Sequence, residues 1–290
     1  MAVKILIQHS TVYSYSQPVL LSTHKIRLKP TADCATAIEN YSLTIYPSNH
    51  VVHWLQDPFG NFEARVDFQG SVQQLVIDVE ITAVMQPVNP FDFFVDDYAQ
   101  DFPFEYTGKL KRELYLYLET NYSDIAINTW LQKVNRSKTE TISFLSTLTS
   151  IVYNDIAYKV RMQPGVQTPG ESLQLGSGSC RDSAWLLVQI LRNLQLAARF
   201  VSGYIVQFAN GFANTSNNEP GTTGLHAWVE VYIPGAGWIG LDPSNGLFAA
   251  EGYMPLARTP DYEDAAAVTG TASISDTLLT FSNKVMRLYN

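Results

Sequence analysis

One cysteine in the middle of the 290-residue chain stands in a segment that constrains the fold more than any other. Cys180 lies in Gly176-Ser-Gly-Ser-Cys-Arg-Asp182, immediately before a long apolar stretch with helical spacing. Ser179 is a good helix N-cap residue, and Asp182 three positions later completes a Ser-x-x-Asp capping box. The pattern therefore predicts a helix that begins at Cys180 and lies deep in the core.

The predicted position of Cys180 also favours a reactive thiol over a structural one. The first position of a helix feels the positive end of the helix dipole and several unpaired backbone N–H groups, and both stabilise a thiolate. Gly176 and Gly178 let backbone and substrate approach closely. The backbone N–H of Cys180 is placed to donate to an oxyanion.

A predicted hairpin supplies two partners for this thiol. Along His226–Ile233 the odd-numbered residues are apolar and the even-numbered ones share the other face, away from the core. The next strand ends at Asp242, and the turn Pro234–Gly237 joins the two strands. Keeping the apolar face buried places Asp242 opposite His226 or Trp228, within reach of the imidazole.

These residues predict a Cys-His-Asp site that transfers an acyl group. Asp242 fixes the tautomer of His226 and stabilises its imidazolium, and His226 exchanges a proton with the nucleophile Cys180. Trp228, on the same face as His226, is assigned to substrate binding, with shielding of the hairpin as the alternative.

The composition limits which binding partners, cellular location and cofactors are expected. The net charge of −8 disfavours nucleic acid and anionic membranes, and no window reaches the roughly 18 apolar residues that span a bilayer. Residues 1–9 are predicted as a first strand rather than a signal peptide. The only cysteines are Cys34 and Cys180, which favours a reducing cytoplasm. No cofactor motif or acidic calcium loop is present, and His50 and His53 lack further metal ligands.

The order of predicted elements indicates an α+β fold with two domains. An antiparallel β-rich domain is predicted over 1–95 and a catalytic domain over 96–290, with its core at about 140–246. In the first domain, strands are predicted at Val3–Ile7, Leu20–Leu28, Tyr41–Tyr46, Ala64–Phe68 and Leu75–Val84. Residues 86–107 are predicted to be a connector packed against the body.

The second domain changes from helical to strand patterns along the chain. Helices are predicted at Lys109–Glu119, Asp124–Val134 and Glu140–Tyr153, before the one at Cys180. Strands are predicted at Arg199–Phe208, His226–Ile233 and Trp238–Leu241. A mobile, glycine-rich loop is predicted over 210–224, ahead of His226.

Several stretches carry a resemblance to a known family. They are Gln167-Thr-Pro, Gly178–Trp185, Ala198–Tyr204, His226–Tyr232 and Gly237–Pro243, together with Gln17–Pro30 and Asp57–Asn61 in the β-rich region. With them the chain resembles the bacterial transglutaminase-like family within the papain-like thiol superfamily. The resemblance implies a nucleophile helix packed on an antiparallel sheet. It also implies Cys180 as nucleophile, His226 as base, Asp242 as orienting residue and a thioester formed from an amide donor.

The predicted function is that of a cysteine protease or amide hydrolase of transglutaminase-like type, acting on a protein or peptide with glutamine or other amide bonds. Alternatives are a transglutaminase proper, with an amine as acceptor, acyl transfer to an arylamine or small thiol, and a non-catalytic binding module that keeps the fold. The second oxyanion donor is left open among Gln167, Gln174 and Tyr158. Arg181 either supports the thiolate or faces solvent, and no oligomeric state is predicted.

Overall fold

The computed structural model of the chain describes residues 2–120, 125–208 and 221–288. In these residues strands predominate, and the helices fall between the two β-rich parts. The strands are β1 (Val3–Leu20), β2 (His24–Ile26), β3 (Ala37–Tyr46), β4 (His50–Gln56), β5 (Phe62–Phe68), β6 (Ser71–Met85), β7 (Asp101–Phe102), β8 (Thr139–Glu140), β9 (Ala157–Tyr158), β10 (Ser177–Gly178), β11 (Ala198–Gln207), β12 (Thr222–Ile233), β13 (Gly237–Asp242), β14 (Leu247–Ala249), β15 (Tyr253–Thr259), β16 (Val268–Thr269) and β17 (Thr277–Arg287). The helices are α1 (Gly108–Glu113), α2 (Tyr115–Leu118), α3 (Ile125–Leu131), α4 (Thr141–Asp155), α5 (Pro169–Leu175) and α6 (Cys180–Asn193).

Two antiparallel sheets of four strands form the N-terminal part. Their strand orders are β17-β1-β6-β3 and β16-β2-β5-β4. The first half of β1 alternates buried with half-buried residues, and most of β6 alternates as well, because each strand turns one apolar face inward. The two sheets share a hydrophobic core that contains Ile5, Val66 and Ile77.

A five-stranded antiparallel sheet of order β14-β13-β12-β11-β15 carries the second half of the protein. Helix α6 packs on one face, where Leu187 and Val229 belong to the same core cluster. Residues of the opposite face, among them Tyr204 and Met254, join the core of the N-terminal sheets. Both faces of this sheet are therefore covered, and the α+β class predicted from the sequence is confirmed.

The helices surround α6, and the connector before them is packed as predicted. In the 86–107 segment, Phe102 and Tyr106 belong to the core of α6, and the Tyr106 hydroxyl donates to the carbonyl oxygen of Tyr232 at 2.6 Å. Among the described residues, no helix combines the length and the apolar character needed to cross a bilayer.

Several elements differ from the predicted ones. β4 was not predicted because most of its residues are exposed, and an edge strand has no alternating apolar face to reveal it. The predicted strand at Val3–Ile7 continues to Leu20, where it pairs with both β6 and β17. Most of the predicted loop at 210–224 lies outside the described residues, and its last residues belong to β12.

The end of the chain returns to the N-terminal sheets. β17 pairs with β1 over eleven residue pairs, from Ile5↔Arg287 to Tyr15↔Thr277, and β16 pairs with β2. β15 instead pairs with β11 in the central sheet. The division of the chain at residue 95 stays a prediction, but these strands place 268–287 in the N-terminal sheets.

Candidate active site

Cys180 is the first residue of α6, as the capping pattern predicts. The backbone N–H and the hydroxyl of Ser179 both donate to Oδ2 of Asp182 at 2.8 Å. The Ser183 N–H donates to the Ser179 carbonyl oxygen and so starts the helical hydrogen bonds. The thiol is part-exposed at a well-capped helix start, where the helix dipole favours a negative charge.

Asp182 also anchors the loop that precedes α6. Its carboxylate accepts from Arg161 at 2.8 and 3.1 Å and from the backbone N–H of Gln167 at 2.7 Å. Burial would raise the pKa of Asp182, but the hydrogen bonds from Arg161, Gln167 and Ser179 outweigh it and lower that pKa. A buried, ionised carboxylate therefore ties residues 161–167 to the start of α6.

Arg181, left between two roles by the sequence, supports the same loop. Its guanidinium donates to the carbonyl oxygens of Arg161 at 3.1 Å and of Gln163 at 3.2 Å. The side chain lies along the protein surface instead of extending into solvent. Its positive charge remains next to Cys180 in sequence.

His226 and Asp242 meet across the predicted hairpin. The Nε2–H of His226 donates to Oδ2 of Asp242 at 2.7 Å. The strands pair Val229 with Leu241, so the register continues to Asp242 opposite Trp228, one of the two positions expected from the sequence. The apolar odd-numbered residues of β12 face α6 as predicted.

The expectation that this pair lies on an uncovered face is wrong. Asp242 is fully buried: the hydroxyl of Tyr253 lies on its carboxylate, and the N-terminal sheets pack on this face of the central sheet. Six hydrogen bonds compensate for the burial of the carboxylate. Oδ1 accepts from the N–H and hydroxyl of Ser244 and the N–H of Asn245, and Oδ2 accepts from His226, the Asn245 amide and the Tyr253 hydroxyl.

His226 also hydrogen-bonds the side chain of Cys180. Since Nε2 is bonded to Asp242, Nδ1 is the nitrogen left for the thiol. Burial would lower the pKa of His226, but the bonds to Asp242 and Cys180 outweigh it and raise the pKa to about 10. Burial would raise the pKa of Asp242, but His226, Ser244 and Tyr253 lower it to about 2. The pair is therefore an imidazolium and a carboxylate at neutral pH.

Trp228 lies behind His226, and 2% of its surface is exposed. Its ring is stacked near the imidazole, with centroids 6.4 Å apart, and meets Tyr253 edge-on at 5.2 Å. This position suits the shielding role that the sequence left as an alternative. Its assignment to substrate binding stays a prediction without a contact to the cleft.

Gly203 makes room for that indole. A Cβ at this position would lie 2.3 Å from the Met254 carbonyl oxygen and 2.5 Å from the ring of Trp228. Moving either the backbone of β15 or the closely packed indole would strain the surrounding structure. Glycine is therefore required for the close approach of β11 to the support of His226.

We expect Gly203→Ala to destabilise the fold by about 3 kcal/mol, the upper range for overpacking. Urea unfolding measures the effect. Gly224→Ala, in the neighbouring strand β12, is the matched control, since its Cβ would have one neighbour, Asn283 Nδ2 at 3.8 Å. The free energy of unfolding of this control should remain within about 1 kcal/mol of the wild-type value. Equal stability of the two variants would contradict the packing argument.

A cleft of about 490 Å³ opens beside His226. One wall comes from the end of α4 and from β9, and the other from β11 and the turn after Asp242. The lining residues are Tyr153, Asn154, Ile156, Ala157, Tyr158, Ile205, Gln207, His226, Ser244 and Asn245. None of them is Asp, Glu, Lys or Arg, so the imidazolium of His226 is the one charged side chain among these lining residues at neutral pH.

The three candidates for a second oxyanion donor have different surroundings. Tyr158 lines the cleft with His226, and its pKa is raised by burial and then by the negative charges of Cys180 and Asp242. Gln167 accepts from the Ser172 hydroxyl at 3.0 Å and lies below Gly178. Gln174 is exposed on α5. Of the three candidates, only Tyr158 both lines the cleft and interacts electrostatically with Cys180.

Three residues of the site were not found from the sequence. Ser244, Asn245 and Tyr253 all bind the carboxylate of Asp242. Ser244 and Asn245 follow Asp242 in a Pro-Ser-Asn-Gly turn, whose polar residues were a usable signal. Tyr253 comes from β15, and no local pattern indicates that this strand pairs with β11.

The other histidines show no metal site in the described part of the chain. His50 donates through Nδ1 to the Pro47 carbonyl oxygen at 2.7 Å. Within residues 2–120, 125–208 and 221–288, no group of three or more His, Cys, Asp and Glu side chains could hold a metal ion. Cys34 and Cys180 are both free thiols.

A thiol at a helix start, hydrogen-bonded to a His–Asp pair on an antiparallel sheet, defines the papain-like thiol-enzyme class. Residues 128–243 match the model of the transglutaminase-like superfamily, and residues 5–84 match that of the bacterial transglutaminase-like N-terminal region. Together the two matches span more than half of the chain. The chain therefore belongs to the transglutaminase-like superfamily and carries the N-terminal region of its bacterial members.

Similar proteins extend the comparison over the whole chain. The uncharacterized protein Rv2569c of Mycobacterium tuberculosis is 26% identical over 272 residues, which cover 91% of this chain and 86% of that protein. An uncharacterized protein of Mycobacterium leprae is 31% identical over 38% of this chain and 37% of its own length. The crystal structure of a "putative cysteine protease" from Cytophaga hutchinsonii has a TM-score of 0.69 at 17% identity. It covers 100% of this chain and 92% of that one, and shows a shared fold.

Proposed function

We propose that the protein hydrolyses amide bonds of a protein or peptide substrate through a thioester at Cys180. One observation carries the proposal: Cys180, at the start of α6, hydrogen-bonds to His226, which is bonded to the buried Asp242 at 2.7 Å. This arrangement supplies a nucleophile, a proton carrier and a fixed negative charge. The transglutaminase-like core supports the same class of chemistry.

The reaction follows from the state of the pair. The Cys180 thiolate attacks the amide carbonyl carbon, and the oxyanion that forms is held by hydrogen bonds. His226, an imidazolium at neutral pH, donates its Nδ1 proton to the leaving nitrogen, which departs as an amine or ammonia. Water then attacks the thioester and gives its proton to His226, and the acid product leaves as the thiolate is restored. Asp242 holds the imidazole in place throughout.

The backbone N–H of Cys180 and the hydroxyl of Tyr158 are the proposed oxyanion donors. Tyr158 faces the cleft two residues after Ile156, on a strand paired with the Gly178 segment that leads to Cys180. Burial and the nearby negative charges raise its pKa. The phenol therefore stays protonated at neutral pH and remains able to donate a hydrogen bond to a developing oxyanion.

We expect Tyr158→Phe to lower kcat roughly 100-fold, the typical loss when one oxyanion donor is removed. The rate of Cys180 alkylation by iodoacetamide should not change, because that reaction forms no oxyanion. Gln167→Glu and Gln174→Glu serve as comparisons at the other two candidate positions. A Tyr158→Phe enzyme with wild-type kcat would assign the donor elsewhere.

Water is the proposed acceptor because the cleft is open. The wall residues Tyr153 and Tyr158 are 48 and 57% exposed. Water therefore reaches the thioester, whereas a transferase needs to keep it out.

Mass spectrometry of reactions with a peptide library tests the proposal, with and without a primary amine. Hydrolysis predicts cleaved or deamidated peptides in both reactions and an acyl adduct on Cys180 after acid quenching. Cys180→Ala is the control that should form neither. Amine-linked products without hydrolysis would replace water by an amine as the acceptor. No adduct on a Cys180 that is readily alkylated would overturn the proposal.

A further inference from the structure

A row of exposed apolar side chains begins at the cleft and continues past β9. Tyr158, Val160 and Met162 are 57, 74 and 53% exposed. They alternate with Lys159, which is also exposed, and with Arg161, whose side chain binds the buried Asp182. We call residues 157–162 the ridge. Exposed apolar side chains that lie close together mark interaction sites, because their exposure to water is unfavourable and a bound partner removes it.

The ridge is held rigidly in this position. Arg161 makes two hydrogen bonds with the buried carboxylate of Asp182, and Arg181 donates to the carbonyl oxygens of Arg161 and Gln163. These bonds prevent the segment from turning its apolar side chains inward. A fixed apolar surface binds a partner with little loss of its own conformational entropy.

The ridge also has a free strand edge. β9 pairs with β10 through the Ala157 N–H to the Gly176 carbonyl oxygen, at 2.9 Å, and the Lys159 N–H to the Gly178 carbonyl oxygen, at 2.8 Å. Successive residues of a strand point their main-chain groups to opposite sides, so the N–H and C=O of Tyr158 face away from β10. No further strand in the described part of the chain pairs with β9.

This edge leads directly to the candidate catalytic residues. Ala157 and Tyr158 line the cleft together with His226. Gly178, two residues before Cys180, is the pairing partner of Tyr158. An added strand beside β9 would therefore carry its side chains past the thiol.

We propose that the ridge is a substrate-binding site that takes an extended polypeptide segment as an added strand. The main chain of the substrate pairs with the N–H and C=O of Tyr158, and its apolar side chains pack on Val160 and Met162. The reactive residue enters the cleft beside His226, the hydrogen-bond partner of Cys180. Added strands gain affinity from main-chain hydrogen bonds and specificity from alternate side chains. The inference rests on the proposed function and names its substrate class.

The side-chain period of a strand defines the expected sequence preference. Residues two positions apart lie on the same face of an extended chain. A substrate whose reactive residue lies beside Tyr158 therefore places its second neighbour beside Val160. The site should select an apolar residue two positions from the reactive one and should discriminate little at the position between them.

Binding to the Cys180→Ala protein tests the ridge without catalysis. The probes are capped, fluorescent nonapeptides with a central glutamine and either leucine or serine two residues to each side, and anisotropy measures their affinity. We expect the leucine peptide to bind at least 10-fold more tightly. Adding Val160→Asp and Met162→Asp should abolish this preference. Ile274→Asp is the matched control, since Ile274 is 95% exposed on the turn before β17.

Methylation of the peptide nitrogens tests the strand pairing itself. A methyl group on the one peptide nitrogen that donates to the Tyr158 carbonyl oxygen should lower the affinity of the leucine peptide at least 10-fold, whereas methyl groups on the neighbouring nitrogens should have little effect. If the leucine and serine peptides bind equally, or if the preference survives both aspartate substitutions, the ridge is not the substrate-binding site. If the leucine peptide binds selectively but the wild-type protein forms no thioester, the ridge is a peptide-binding site and the proposed hydrolysis is wrong.

Discussion

At pH 6, iodoacetamide should alkylate Cys180 in the wild-type protein roughly 100-fold faster than in His226→Ala, within the range that a positioned proton-transfer group contributes. The reason is the charge of the imidazole. The pKa of His226 is raised to about 10, so the ring carries a proton at pH 6 and stabilises a neighbouring thiolate. Without the ring, thiolate formation depends on the helix start alone.

Mass spectrometry of the labelled peptide measures this rate at Cys180 separately from Cys34. Cys34 is an internal control, because burial raises the pKa of its thiol and keeps it slow at pH 6 in both proteins. His50→Ala is the matched histidine substitution, on an edge strand of the N-terminal sheets. A slow Cys180 in the wild type, unchanged in His226→Ala, would show that the pair is not assembled in the isolated protein.

The parts of the site that could be predicted are those with a local signature. Ser179 and Asp182 define the start of α6 by a capping pattern, and the apolar alternation of β12 restricts the hairpin to registers that place Asp242 opposite His226 or Trp228. With these two elements, Cys180, His226 and Asp242 follow in their observed relation. The capping box of Thr168 and Glu171, with proline between them, is a signal of the same kind that would have found α5.

The parts that could not be predicted depend on pairing between distant segments. β15 pairs with β11 and not with β14, its neighbour in sequence, and β17 pairs with β1 at the other end of the chain. The exposed residues of β17 show no apolar face. The burial of Asp242 depends on these partners, since Tyr253 donates to it from β15. Sequence patterns report the two faces of a strand, but not which distant element covers the second face.

The tail thereby couples the N-terminal region to the site. Arg258, in β15, binds Glu230 of β12 at 3.0 Å and also forms an ion pair with Asp33 of the N-terminal region. Asn61 accepts from the Arg258 N–H at 2.9 Å. The strand that carries Tyr253 is therefore held between the two halves of the protein. Its alignment with Asp242 depends on the N-terminal region being folded.

Asp242→Asn should lower kcat by on the order of 10⁴-fold, the loss seen when the orienting acid of a triad becomes an amide. The amide cannot stabilise an imidazolium, so the pKa of His226 falls from about 10 towards its ordinary 6.5. At neutral pH the ring of His226 is then mostly neutral and does not protonate the leaving nitrogen. Tyr253→Phe, which removes one of the six hydrogen bonds and keeps the charge, is the matched control and should lose roughly 10-fold or less.

The pH dependence separates this electrostatic role from simple misplacement of the ring. The folded pKa of His226 lies above its unfolded value, so the pair stabilises the fold fully below pH 6.5 and loses this contribution as pH rises towards about 10. The depressed pKa of Asp242 acts at the other end, where stability is lost as pH falls from 3.8 through about 2. Asp242→Asn should remove both limbs from the urea-unfolding profile and shift the alkaline limb of kcat/KM to lower pH. If Asp242→Asn lowers the activity but does not shift the alkaline limb of kcat/KM, Asp242 acts by packing and not by its charge.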